Sequence, residues 1–158
     1  MAMSDLKLGS ITEVWKSETQ WKKFCQFLEE KMDPEGFDSE GTPLKLSRYA
    51  LFLRLYVELY HREKQLKEEE EDPNWKVEVK SMVLSIKDHD EDFFGTERCM
   101  KCIDAGVRRQ ILQNVKNVRK NQAEPGSWVY EPAYPKVLDK LNSLLGPYLE
   151  IAELEKTE

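Results

Sequence analysis

The chain has 158 residues and a mass of 18.6 kDa, the size of one ordinary domain, which buries roughly two-thirds of the surface its unfolded form exposes. With 40% hydrophobic and 34% charged residues, 7 glycines and 7 prolines, it is no collagen, mucin-like stalk or wholly disordered chain. The net charge of −6 argues against a protein that coats nucleic acid, which needs a basic excess to release counterions from phosphates. No apolar run approaches a membrane span, and the opening MAMSDLKLGS lacks the apolar core of a signal peptide, so the expectation is a soluble, cytoplasmic chain.

Helical periodicity runs along most of the sequence and hairpin signals are nearly absent. In ITEVWKSETQWKKFCQFLEEKM the apolar positions Ile11, Val14, Trp15, Trp21, Phe24, Phe27 and Leu28 recur at three and four. One break near Thr19 predicts two short helices meeting at Gln20. Asp33-Pro34-Glu35-Gly36 then ends the second helix, and the polar stretch to Pro43 reads as a loop. LKLSRYALFLRLYVELYHREKQLKEEEED is apolar enough for a buried strand. Its polar residues Ser47, Arg54, Glu58, His61 and Gln65, however, fall on one narrow stripe of a helix and on both faces of a strand. A long helix with so narrow a polar stripe must be buried on most of its surface, so it is the predicted central element.

Beyond the acidic run Glu68 to Asp72, Pro73 suits a helix start, and Trp75, Val79, Met82, Val83 and Ile86 form an amphipathic pattern. Asp88 to Gly95 reads as a charged loop and Thr96 to Ile103 as a short helix. Asp104-Ala-Gly breaks the chain before a helix from Val107 to Lys120, whose apolar stripe is Val107, Ile111, Leu112, Val115 and Val118. AEPGSW is a turn, and the last helical region, Glu131 to Leu154, is interrupted at Gly146-Pro147.

The charge is uneven along this order. From Arg98 to Lys120 seven Lys or Arg meet one acid, Asp104, leaving about −12 on the rest. Arg108, Arg109, Lys116, Arg119 and Lys120 flank the apolar stripe of one helix. Such a flank is usually a solvated face; as a docking surface it suits an acidic partner or an anionic membrane, and without interleaved aromatics it is no nucleic-acid platform.

Signs of catalysis are sparse. Three cysteines, Cys25, Cys99 and Cys102, make an odd number for a disulfide framework, so reduced thiols are expected. The CMKC spacing lacks a second ligand pair for zinc, since Cys25, His61 and His89 stand singly, and no redox-active sheet fold is predicted around it. DHDED lacks the turn glycine and closing glutamate of a calcium loop. Nucleophile elbows, P-loops and dinucleotide signatures do not occur.

The order of the elements resembles the regulator of G-protein signalling (RGS) domain. TQWKKFCQFLEEKM is similar to that family's early aromatic and leucine block. LSRYALFLRLYVELYHREK is similar to its long central helix after a Ser-Glu-Glu-Asn loop. RRQILQNVKN with WVYEPAYPKVLDKLNSLLGPYLEI resembles its late helices, ending in the aromatic-leucine pair Tyr148-Leu149. The resemblance covers Ile11 to Ile151. It implies an all-α bundle of about nine helices over residues 11–152, with flexible termini at 1–10 and 153–158.

The same resemblance implies a monomer that binds the GTP form of a heterotrimeric G-protein α subunit and holds its switch segments in the transition-state arrangement. It needs no cofactor or metal and is no catalyst itself, because the α subunit carries its own catalytic arginine. Such a protein is cytoplasmic or peripheral to the plasma membrane. The contact residues implied are Ser47, Arg48, Tyr49 and Ala50 in the loop position, Cys102 and Asp104 near the family's contact asparagine, and Ser143, Leu144 and Pro147 near the end. Here the family's acids and amide after Ser47 are gone, a thiol replaces an amide at Cys102, and proline replaces arginine at Pro147. Weak or altered GTPase acceleration follows. The alternative is a helical scaffold for protein assembly without GTPase activation.

Overall fold

In a computed structural model, residues 8–68, 74–87, 93–95 and 98–157 are described. The acidic run past Glu68, Pro73, the 88–92 segment with His89, Thr96 and the terminal residues 1–7 and 158 lie outside them.

Ser17 decides where the first helices part. Its side chain accepts a hydrogen bond from the Gln20 amide at 3.3 Å, and its extended backbone ends α1, Thr12–Trp15, and opens α2, Glu18–Glu30. The junction therefore lies three residues before the expected Gln20, because a capping hydroxyl fixes a helix start more sharply than apolar spacing does. Residues 31–46 follow as a loop, and α3 runs over Ser47–Glu68 for 22 residues. α4 is Trp75–Lys87, α5 Ala105–Arg119 and α6 Tyr134–Thr157. Two 3-10 segments, Gly9–Ile11 and Ser127–Val129, complete the set. The fold is all-helical among the described residues, with six α-helices there against the nine that the resemblance implies.

α3 is the centre. It packs against α2, α4 and α6. Phe52, fully buried on it, meets Phe93, Phe94 and Tyr130 edge to face at centroid distances of 5.4, 5.7 and 6.1 Å. The Tyr130 hydroxyl donates to the Val83 carbonyl of α4 at 2.7 Å, so the cluster ties three segments together. The expected polar stripe keeps its place, with Arg54 and Glu58 paired at 3.2 Å along it, and Leu51 shares that face and stays 40% exposed.

Several boundaries move for local reasons. Phe93 and Phe94, expected in a charged loop, form a helical turn and are buried. Arg98–Ile103, expected to be helical, is a turn. α5 starts at Ala105 because the Asp104 carboxylate accepts from the Val107 amide at 2.8 Å, which puts Gly106 inside the helix. It ends in a Schellman motif: the Gln122 amide bonds to the Asn117 carbonyl and the Asn121 amide to that of Val118, with Asn121 at φ 58°. Among the described residues the packing extends ahead of Ile11 to Leu8. Leu8 is buried, and Asn142 of α6 accepts from the Ile11 amide at 2.7 Å while donating to the Leu8 carbonyl at 3.2 Å.

α6 does not break at Gly146-Pro147. It continues to Thr157 with Pro147 inside it. The proline strips the Ser143 carbonyl of its helical donor, but Leu144, Leu145 and Tyr148 are all buried on one side, and Tyr148 meets Phe24 and Phe27 at 5.3 Å each. Burial of that face outweighs the missing bond. Pro147→Ala should therefore stabilise the chain by about 1–3 kcal/mol and raise its Tm by several degrees, whereas Tyr148→Ala should cost about 3–5 kcal/mol. Thermal unfolding followed by circular dichroism reads both.

Candidate functional site

The loop of residues 31–46 folds back on itself before it reaches α3. Asp38 accepts from the amides of Glu40 and Thr42 at 2.9 Å each, Gly41 supplies a φ of 82°, and the amides of Glu35 and Leu44 bond to the carbonyls of Leu44 and Gly36. An isolated bridge pairs Phe37 with Pro43. Phe37, 64% exposed, sits on this short hairpin.

Glu35 fastens the hairpin to the bundle. One carboxylate oxygen takes the Arg48 guanidinium and the Lys101 amide, the latter at 3.1 Å, and the other takes the Tyr49 hydroxyl at 2.7 Å. Arg48 also donates to the Arg98 carbonyl, and its guanidinium lies 5.8 Å from the centre of the Tyr49 ring. The Tyr49 oxygen accepts from the Cys102 amide at 3.4 Å, and Arg98 pairs with Asp38 at 2.9 Å. Three segments far apart in sequence, the hairpin, the start of α3 and the 98–103 turn, thus form one end of the bundle.

The protonation states follow from this packing. Burial, then the bond to Glu35, holds the Tyr49 phenol far above its ordinary value, so it remains a donor. Burial pushes the Cys25 and Cys102 thiols up to about 11, which leaves them poor nucleophiles at neutral pH. The hydrogen bond from Ser47, followed by that from Lys45, lowers the Glu29 carboxyl, and the Thr42 amide leads in lowering Asp38. Burial lowers His61, favouring its neutral form. Among the described residues no three His, Cys, Asp or Glu side chains converge as a metal site would require.

The residues implied by the RGS resemblance divide into two groups. Ser47, Arg48, Tyr49, Ala50 and Cys102 share the end just described, with Asp104 close behind as the cap of α5. Arg48, Tyr49 and Ala50 are buried there and shape the surface from beneath; Ser47 and Cys102 are half-buried and Asp104 exposed. Ser143, Leu144 and Pro147 lie on α6, with Leu144 in the core and the Ser143 hydroxyl turned to the Lys140 carbonyl of its own helix. α2 stands between the groups: Phe24 and Phe27 meet Tyr148, while Glu29, about 150° round the helix, accepts from Ser47. A groove of about 610 Å³ runs between α2 and α3, with Trp21, Cys25, Pro43 and Leu51 on its apolar side. Among its cations, Lys45, Arg48, Arg54 and Arg98 are each paired with an acid, while Lys22 makes no ion pair among the described residues.

Of the basic group, Arg108 turns inward to the Phe94 carbonyl, whereas Arg109, Lys116, Arg119 and Lys120 are exposed. Sequence periodicity did not single out Glu35, Phe37, Asp38 or Asn142, although an Asp three residues before a Gly was a readable turn signal at Asp38. No family model, curated protein or solved structure matches the chain.

Glu35→Ala should cost about 3–5 kcal/mol, because it leaves the Arg48 charge buried without its carboxylate, while joint replacement of both by methionine should cost far less. Denaturant unfolding of the single and double variants tests this. Glu29 and Asp38 both titrate low in the folded chain, so the stability they supply is present above their unfolded pKa values and is lost as pH falls through the folded ones. Ser47→Ala should move the Glu29 titration upward and leave Asp38 unmoved in a carboxyl-carbon NMR titration.

Proposed function

We propose that this protein is an RGS-like module that binds the activated α subunit of a heterotrimeric G protein and accelerates its GTP hydrolysis weakly or not at all. The observation that carries the reading is the convergence of the α3 start with the 98–104 segment at one rigid end of a helical body. These are two of the three stretches that the resemblance marks for contact, and hydrogen bonds within the chain hold them together. A surface fixed in advance loses little conformational freedom on binding, which favours a recognition role. The thiols near it, Cys25 and Cys102, are held protonated by burial and are poor nucleophiles.

Within this reading Phe37 is the anchor. It is a large exposed ring on a hairpin held by Glu35 and Asp38, the kind of rigid aromatic that dominates interface energies. The burial of Arg48, Tyr49 and Ala50, and the distance imposed by α2 between them and Pro147, explain why acceleration is weak: few of the family's polar contacts remain to hold the switch segments. Ser47 and Cys102 supply what contact is left beside the ring.

Pull-down against α subunits loaded with GDP and aluminium fluoride should show binding to at least one subtype, with little effect on single-turnover GTP hydrolysis. Phe37→Ala should weaken that binding about thirtyfold and leave the Tm unchanged. Failure to bind any loaded α subunit removes the G-protein reading and leaves the scaffold reading in its place.

A further inference from the structure

α5 carries four cations and no acid in 15 residues, and its C-cap Lys120 adds a fifth cation, on a chain that has more acids than bases. The absence of acids there is therefore no shortage of supply. Elsewhere Lys45, Arg54, Arg62, Lys67 and Lys76 each have a carboxylate partner, while single exposed lysines such as Lys22 and Lys31 have none among the described residues; what distinguishes α5 is the row its cations form. On α5 none of Arg109, Lys116, Arg119 and Lys120 makes an ion pair among the described residues.

Three of these four form a regular row. Arg109, Lys116 and Lys120 fall within about 40° of one another around the helix axis and span about 16 Å along it, on the face opposite the buried Ile111, Val115 and Val118. The helix is held at both ends, by the Asp104 cap and by the Schellman turn at Asn121. Lys80 of α4 adds another cation at the C-terminal end. Its ammonium donates to the Arg119 carbonyl at 3.3 Å and to the Asn121 side chain at 2.9 Å, with no carboxylate involved. One turn earlier on α4, Val77 is 69% exposed.

We propose that this face is a docking surface for an anionic lipid bilayer. Charge complementarity sets the sign of the partner, and shape sets its kind: an outward helix face with long cationic side chains meets a plane along its whole length. The cations would engage anionic headgroups, and the exposed Val77, one turn from Lys80, would be available to enter the interface. An acidic peptide would need a groove to lie in, and these residues do not line the α2–α3 groove. The surface works without a G protein, so its test needs none.

The test is co-sedimentation of the whole chain with vesicles of phosphatidylcholine alone and with a one-third share of phosphatidylserine. Binding should appear only with phosphatidylserine and fall steeply as NaCl is raised, since the cations are exposed and screened. Arg109→Glu/Lys116→Glu/Lys120→Glu should lower the partition coefficient by at least about a hundredfold, at roughly fivefold or more per charge. The triple Gln variant, milder to the fold, should lower it by a smaller factor in the same direction. Lys23→Glu on α2 should leave it unchanged. Equal binding to both vesicle types, no binding to either, or an unaffected triple variant overturns the proposal. So does a preference for polyglutamate or for nucleic acid over the phosphatidylserine vesicles at the same salt.

Discussion

The burial of α3 on most of its circumference is the constraint from which the other arrangements follow. A helix of 22 residues with one exposed stripe cannot stand at an edge, so α2, α4 and α6 must each cover part of it. Phe52 shows how the cover is made specific. Its ring packs edge to face against Phe93, Phe94 and Tyr130, and the Tyr130 hydroxyl then reaches the backbone of α4. Apolar area supplies the stabilisation, while the aromatic geometry and that single hydrogen bond select one arrangement among many that would bury similar area.

At the start of α3 the same constraint has a polar solution. Arg48 lies about a third of a turn from the exposed stripe and so faces inward, where a guanidinium has to be paired. Glu35 meets it from the hairpin, and the remaining oxygen of that carboxylate is used by Tyr49. A buried pair of this kind adds little net stability over an apolar pair of equal volume. What it contributes is position: the hairpin can close over α3 only where Glu35, Arg48 and Tyr49 meet, and that closure places Phe37 and the 98–103 turn side by side. Loss of either charge therefore affects the shape of the end before it affects the core.

The sequence made the central helix legible because its polar residues obey one period over five turns, and a strand cannot reproduce that spacing. The α5 stripe was readable for the same reason. What it hid were features decided by single contacts. Ser17 and Asp104 set helix starts through one hydrogen bond each, which apolar periodicity does not register. Pro147 looked like a break because propensity is local, while Tyr148 is held by two rings from α2 that propensity cannot see. The candidate site was least legible of all. Arg48 and Tyr49 read as members of a contact loop, and only the packing of Glu35 against them shows that they support the surface from within.

These two polar solutions differ in a way that bears on function. Where a cation is buried, as at Arg48, the fold supplies its partner, and beside the α2–α3 groove neighbouring acids pair with Lys45, Arg54 and Arg98. On the outer face of α5, Arg109, Lys116, Arg119 and Lys120 have no carboxylate partner among the described residues, although a chain with an acidic excess could have placed a glutamate one turn away at Gln113 or Asn117 for a few tenths of a kcal/mol of added helix stability. Both positions carry an amide instead, and Gln113 donates to Asn117 at 2.9 Å, so the local hydrogen bonding is satisfied without touching the charge. The positive face is thus kept at a small cost to the isolated chain, a cost that contact with an anionic surface would offset.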